Sequence, residues 1–388
     1  MAGRACGLGD GMDSTQREQS IVREASSGAG RGWLGRFVAL VGLLVLVGLF
    51  LKGNSAGAQV TCAAGQSPYA MSDAMRTACS VESYPLASKT TITTGLTAGA
   101  TAYKYVADGT PIEYLVPPAS FDAATASADL LKAYGIPAAP PTSDTVAWQN
   151  WSTMVHNFHF VVPPATLMGV PHAGDTGGSA NSDNSHWAGI VNTGVANDYV
   201  QSAAIWIEPP ANPTSCHPNS AVFWNGLGSR NGGNDLAQNG TAINSLGLGQ
   251  HQGWLEVLPQ LNSYVAQNIF ATEGAQFLTG TVHDSGNTFQ FVFYNYATGK
   301  GMAPIVTANG YDGSSAEYIA ERPLYGNDTF PGLTDFGGLD FIETETNGIP
   351  SNSYFYTGVT MKNGADTLAV PHNYGGNGVF NIAWNSCL

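Results

Sequence analysis

The sequence predicts an all-β chain, an antiparallel two-sheet β-sandwich preceded by a small, partly helical amino-terminal region. Short β-type runs, about ten of them, fill the last roughly 200 residues. Clusters of Gly, Asn, Asp and Ser separate them as turns. No helical pattern interrupts the series, so the crossover helices that a parallel sheet needs are missing.

Composition sets the limits. Charged residues make up 11% of the 388 residues, less than half the roughly 25% usual for a soluble domain. With 43% hydrophobic and 10% aromatic residues the chain can bury a large core, which excludes wholesale disorder. The 14 basic residues face 28 acidic ones, a net charge of −14. No basic stripe is available to neutralise phosphates, so nucleic acid is excluded as a partner. No fixed-period repeat is visible.

The first element is a leader. Arg31 and Arg36 precede an apolar run from Phe37 to Leu51, and Ala56-Gly57-Ala58 follows. A basic flank, a short apolar stretch and a small-residue site form a secretory signal peptide over residues 1–58, with cleavage after Ala58. The alternative, a retained anchor through 37–51, is short of the ~20 residues that span a bilayer, so contact with a membrane is expected only during export. Beyond Ala58 stand eight basic residues against 24 acidic ones, a charge of −16. Cys62, Cys79, Cys216 and Cys387 remain there, an even set suited to an oxidising compartment. Four cysteines allow three connectivities; the two-part chain favours Cys62–Cys79 and Cys216–Cys387. No C-x-x-C or C-x-x-H spacing points to a metal.

Residues 59–171 form the amino-terminal region. Phe121 to Gly135 reads as a helix with Leu130, Leu131 and Tyr134 at helical spacing, and Ser143 to Phe158 as a second with Trp148, Trp151 and Val155 on one stripe. The Pro-rich Ala138 to Pro141 connects them as a stiff link. Residues 172–184, rich in Gly, Ser, Asn and Asp, read as a flexible linker open to nicking. From 185 to 388 come the β-type runs: Tyr199–Glu208, Ala221–Gly226, Gly253–Leu258, Gln276–Val282, Thr288–Tyr296, Ala303–Thr307, Ala316–Ala320, Phe336–Ile342, Asp366–Val370 and Gly378–Trp384. Thr288–Tyr296 is the clearest, with Phe289, Phe291 and Phe293 on one face and Val292, Tyr294 and Tyr296 on the other.

Several motif matches carry little chemistry. Gly53 to Gly57 satisfies G-x-S-x-G but lies in the cleavage region, away from any strand-to-helix elbow. His156 and His159 are three apart on a helix without an obvious third metal ligand. Glu343 and Glu345 alternate, as a glycosidase pair on one strand face would, yet Asn347-Gly348 follows at once and a solvated edge is the preferred reading. Glu317 alternates with small and aromatic residues beside Ile319, where a desolvated carboxyl would have a raised pKa.

Here the residues carry a resemblance. Ser315 to Glu321 (SAEYIAE) resembles the S/N-A-E-W-I-V-E signature of the glutamic peptidases known as eqolisins (peptidase family G1). His186 to Val191 (HWAGIV), Val200 to Pro209, Trp224 to Leu227 (WNGL) and Gly253 to Pro259 (GWLEVLP) are similar to further family segments, in the same order. The resemblance implies a concanavalin A-like sandwich of jelly-roll type, Glu317 as a catalytic residue, and Gln238 in Gln238-Asn239-Gly240-Thr241 as its partner. It further implies that Trp224, Trp254 and Glu256 line the substrate site. Departures stand at Gly228 for an Asp, at Leu255 and Leu258 for tyrosines, and at Tyr318 for a Trp. Upstream, Val116 to Asp122 and Tyr134 to Pro137 resemble the segment ahead of the peptidase domain in bacterial members, so residues 59–171 look like a prodomain or a fixed amino-terminal domain.

The expectation is therefore a secreted, acid-acting glutamic endopeptidase, monomeric, acting on polypeptides through a Glu/Gln dyad and water, with no cofactor and no metal. The alternatives are a carbohydrate-binding or glycoside-cleaving sandwich, since fold does not settle function, and an inactive relative of the eqolisins.

Overall fold

The computed structural model describes residues 66–70, 77–171, 183–214, 216, 219–228, 235–243, 251–284, 287–323 and 330–388. The leader, Ala58 and Cys62 lie outside the described residues, as does the linker apart from Asp183 and Asn184.

The amino-terminal region contributes strands β1 (Thr77–Pro85), β2 (Thr101–Ala107) and β3 (Thr110–Val116), helices α1 (Ala128–Ala133) and α2 (Thr145–Asn157), and strand β4 (Thr166–Pro171). Next come β5 (Trp187–Thr193), β6 (Gln201–Ile207), β7 (Asn219–Gly228), β8 (Leu236–Ile243), β9 (Gln252–Leu258) and β10 (Leu261–Phe270). The rest of the chain supplies β11 (Gln276–His283), β12 (Thr288–Asn295), β13 (Pro304–Thr307) and β14 (Ser315–Glu321). It ends with β15 (Gly338–Thr346), β16 (Tyr356–Asn363), β17 (Asp366–His372) and β18 (Phe380–Trp384).

These strands build two antiparallel sheets. The first runs β1-β4-β10-β9-β8-β7-β14-β5-β16. The second runs β2-β3-β13-β12-β11-β6-β15-β18-β17. Pairing of β16 with β17 joins them along one side. Between them lies the main core, which includes Phe223, Leu255, Phe289, Phe291, Phe293 and Phe341. The three phenylalanines of β12 share one face, as their alternation predicts. Each such buried aromatic adds roughly 2–3 kcal/mol over exposure.

The amino-terminal region holds more strand than its sequence predicts. Strand β4 pairs with β10 to extend the first sheet, and β3 pairs with β13 to extend the second. Their partners lie far along the chain, so no local pattern announces them. Of the first predicted helix only Ala128–Ala133 forms, because Ser127 caps it by accepting the Leu130 N–H at 3.3 Å. Upstream, Asp122 holds its own turn by accepting the Ala124 N–H at 3.0 Å. The second helix starts where Asp144 accepts the Ala147 N–H at 3.1 Å. Both helices pack on the outer face of the second sheet, with Leu131, Met154 and Val155 against Ile205, Leu278 and Val292.

Strand β8 escapes the sequence reading because Asn239-Gly240 looks like a turn. Gly240 is in fact mid-strand, where an added Cβ would fall 1.8 Å from the Phe223 carbonyl oxygen of β7. Only glycine allows that approach. Cys216 and Cys387 form a disulfide with Cα atoms 6.0 Å apart, tying the segment before β7 to the carboxyl end.

Candidate active site

One row of residues crosses the first sheet. Register pairs Glu256 with Gln238, Gln238 with Gly226, Gly226 with Glu317 and Glu317 with Val191. Residues directly opposite in a sheet project from one face, here the face turned away from the second sheet. Gln238 and Glu317 thus stand on either side of Gly226, with Cα atoms about 10 Å apart at two strand spacings. Glycine in the middle matters: a Cβ at Gly226 would lie 3.0 Å from the Trp224 ring and 3.2 Å from Gln238 Cβ. Its absence leaves the space between the two side chains open.

The electrostatics follow from burial. Gln238, Glu256 and Glu317 are all buried. Gln238 Nε2 donates to Glu256 Oε2 at 2.7 Å, which fixes the carboxamide, while Gln238 Oε1 and Glu317 Oε2 have no partner among the described residues. Native interiors rarely leave such atoms unsatisfied. Desolvation above all, opposed by Ser315 and aided by the charges of Asp235 and Asp312, pushes the Glu317 carboxyl up to about 7. Asp235 is held there by accepting the Asp312 N–H at 2.8 Å. At the departure Gly228, a Cβ would lie 3.1 Å from Glu317 Oε1, so glycine leaves that oxygen room.

Tryptophans wall the row. Trp224 and Trp254 sit one step along the same face, packed with Trp187, Ile319 and Tyr264 in a cluster of their own. Trp187 meets Trp224 edge-on at 5.0 Å, and Trp254 meets Tyr264 edge-on at 4.6 Å. The indole N–H groups of Trp187 and Trp254 also lack partners among the described residues. Glu321, which the sequence showed only as the end of a motif, turns out to brace this wall. Its carboxylate accepts Trp224 Nε1 at 2.7 Å and the Tyr264 hydroxyl at 3.2 Å. Its spacing of four from Glu317, on the same strand face, was the available signal.

Behind each residue of the row, its chain neighbour reaches through the sandwich to the second sheet. Asn225, before Gly226, donates to Ser202 Oγ at 2.7 Å. Asn239, after Gln238, donates to the Val292 carbonyl at 2.9 Å and accepts from Thr281 Oγ1 at 3.0 Å. Tyr318, after Glu317, bonds Thr346 Oγ1 at 2.7 Å. The departures at Tyr318 and Leu255 therefore face the inter-sheet layer and not the row, while Leu258 joins the tryptophan cluster.

The structure brings Gln238, Glu317, Glu256, Trp224 and Trp254 together and places the other candidates elsewhere. Glu343 and Glu345 are not on a solvated edge: they lie half-buried on β15, on the outer face of the second sheet. His156 binds the Ser152 carbonyl within α2 at 2.7 Å. Among the described residues no three His, Cys, Asp or Glu side chains are grouped to hold a metal. Cys62 lies outside the described residues, so the Cys62–Cys79 pairing does too.

Residues 185–369 match the Peptidase A4 family. Among solved structures, the chain is similar to scytalido-glutamic peptidase bound to a peptide-based transition state analogue, with 16% identity, TM-score 0.44, and 52% of this chain and 98% of that one covered. It is also similar to SCP-B, a member of the eqolisin family in complex with the tripeptide Ala-Ile-His, with 15% identity, TM-score 0.42 and coverages of 52% and 98%. Aspergilloglutamic peptidase from Aspergillus niger shows 18% identity, TM-score 0.36 and coverages of 43% and 99%. No curated protein sequence matches.

Proposed function

We propose that this chain, whose residues 185–369 match the Peptidase A4 family, is a glutamic-type peptidase that cleaves polypeptides with Glu317 and Gln238 acting on one water. The observation that carries this reading is the pair of buried, unpartnered oxygens, Gln238 Oε1 and Glu317 Oε2, on one sheet face with a glycine between them.

In this scheme the ionised Glu317 removes a proton from the water as it attacks the scissile carbonyl. Gln238 Oε1 accepts the water's other hydrogen. One Nε2 hydrogen is held by Glu256 and the other is free to donate to the developing oxyanion, a contribution of about 3 kcal/mol for a well-placed donor. Protonated Glu317 then delivers its proton to the leaving amine. The unpartnered indole N–H groups of Trp187 and Trp254 offer donors for substrate carbonyls on the same face.

The raised pKa bears on the pH of action. With Glu317 near 7, the ionised fraction is about a hundredth at two units below that value. We therefore place the optimum at the weakly acidic edge of neutrality, higher than the resemblance leads one to expect. Residues 1–58 serve as the export signal in this reading, and the protein acts outside the cytoplasm as a monomer.

The test is hydrolysis of a denatured protein substrate across pH 4 to 8 by the wild type, Glu317→Gln and Gln238→Ala. Loss of activity by at least ~100-fold in both variants, with retained folding, is expected. Activity that survives both substitutions overturns the dyad.

A further inference from the structure

A cavity of about 560 Å³ lies between the two helices and the outer face of the second sheet, and nothing in the peptidase reading uses it. That volume falls within the range of small-molecule sites, roughly 300–1,000 Å³. Its floor is hollowed by small residues. Ala203 of β6 stands directly opposite Gly280 of β11, and Glu345 of β15 stands opposite Ala203 on the other side. A row of side chains that would otherwise be continuous thus ends in a depression beside a carboxylate. Trp151 and Met154 close the roof. Trp151 is held in place by donating its Nε1–H to the Pro137 carbonyl at 2.8 Å, which also ties down the Pro-rich connector.

The polar end of this cavity has one sign. Glu343 accepts from Asn150 Nδ2 at 2.7 Å. The side-chain carboxylate of Glu345 has no hydrogen-bond donor among the described residues. Asp129 adds a third acidic group to the lining, and Asp144 caps α2 nearby. Lys132 is the one basic residue in the lining, it is largely exposed, and among the described residues it forms no ion pair. A partly desolvated carboxylate without a donor is costly, and a cation with hydrogen atoms to donate relieves it.

We propose that this cavity is a second binding site, which takes a ligand with a primary ammonium head and an apolar body. The ammonium sits between Glu345 and Glu343, and the apolar body fills the hollow over Ala203 and Gly280 under Trp151. Two sources share that chemistry, a free alkylamine and the amino terminus of a short peptide. The site is separate from the dyad, because it opens on the opposite face of the sandwich.

Isothermal titration at pH 8, above the value of about 7 to which burial pushes Glu345, tests it on the full chain carrying Glu317→Gln, which cannot consume a peptide. The probes are hexylammonium, 1-hexanol, leucyl-leucinamide and its N-acetyl form. Saturable binding of hexylammonium or leucyl-leucinamide is expected, at least ~10-fold tighter than its uncharged counterpart. Whichever of the two binds identifies the source. Glu345→Gln should weaken that binding at least ~10-fold, and Ala203→Leu should abolish it by filling the hollow. Should Ala203→Leu fail to fold, Glu345→Gln decides alone. Absence of saturable binding by both ammonium probes, equal binding of the neutral probes, or an unchanged affinity in Glu345→Gln overturns the proposal.

Discussion

Replacing Glu317 by Gln should change stability in a pH-dependent way that activity does not report. Burial raises this carboxyl from its ordinary 4.5 to about 7. Below pH 4.5 it is protonated in both folded and unfolded chains. Between the two values the folded chain holds a proton that the unfolded chain has lost, so stability falls as pH rises, by up to 1.4 kcal/mol per unit. Above pH 7 the full cost is reached, about 3 kcal/mol for a shift of this size. The isosteric amide cannot ionise and never meets that cost. Urea unfolding of wild type and Glu317→Gln at pH 4 and pH 8 measures it. The variant should match the wild type at pH 4 and exceed it by about 3 kcal/mol at pH 8. Other raised groups, Glu345 and His251 among them, are common to both proteins and cancel. A difference between the two proteins that is the same at both pH values would refute the buried, near-neutral carboxyl on which the mechanism rests.

Two further substitutions probe the scaffold of the site. Glu321→Ala removes the acceptor of the Trp224 and Tyr264 protons; KM should rise about tenfold with a smaller change in kcat, and Glu321→Gln should restore most of it. A fall in kcat at unchanged KM would argue against a bracing role for this carboxylate. Asn239→Ala breaks two buried hydrogen bonds between the sheets and should lower stability by about 2–4 kcal/mol in denaturant unfolding; a loss below about 0.5 kcal/mol, the scatter of ordinary surface changes, would show that this pin is dispensable.

Much of the candidate site was legible because it depends on residue type at short spacing. The segment Ser315 to Glu321 alternates along a single strand, so Glu317 and Glu321 share a face whatever lies beside them. Gln238 was legible only through its resemblance, since its own strand was hidden by a Gly that serves close packing and not a turn. Glu343 and Glu345 were misjudged for a related reason. Asn347-Gly348 does turn the chain, but the strand before it is covered by helices from more than 190 positions upstream, as the Asn150–Glu343 bond shows.

By itself the sequence determined that the chain folds as an antiparallel β-sandwich with few charges, and it named Glu317, Gln238, Glu256, Trp224 and Trp254 as the residues to watch. Alternation and turn chemistry are local, and they survive in any register. Only the tertiary structure decided that Gly226 stands between Gln238 and Glu317, that Glu256 holds the Gln238 amide, and that Tyr318 faces the second sheet. It also decided that the amino-terminal strands extend both sheets and that a hollow forms beside Glu345. Each of these depends on which distant strands pair and in what register, and a shift of one residue would turn every side chain to the other face.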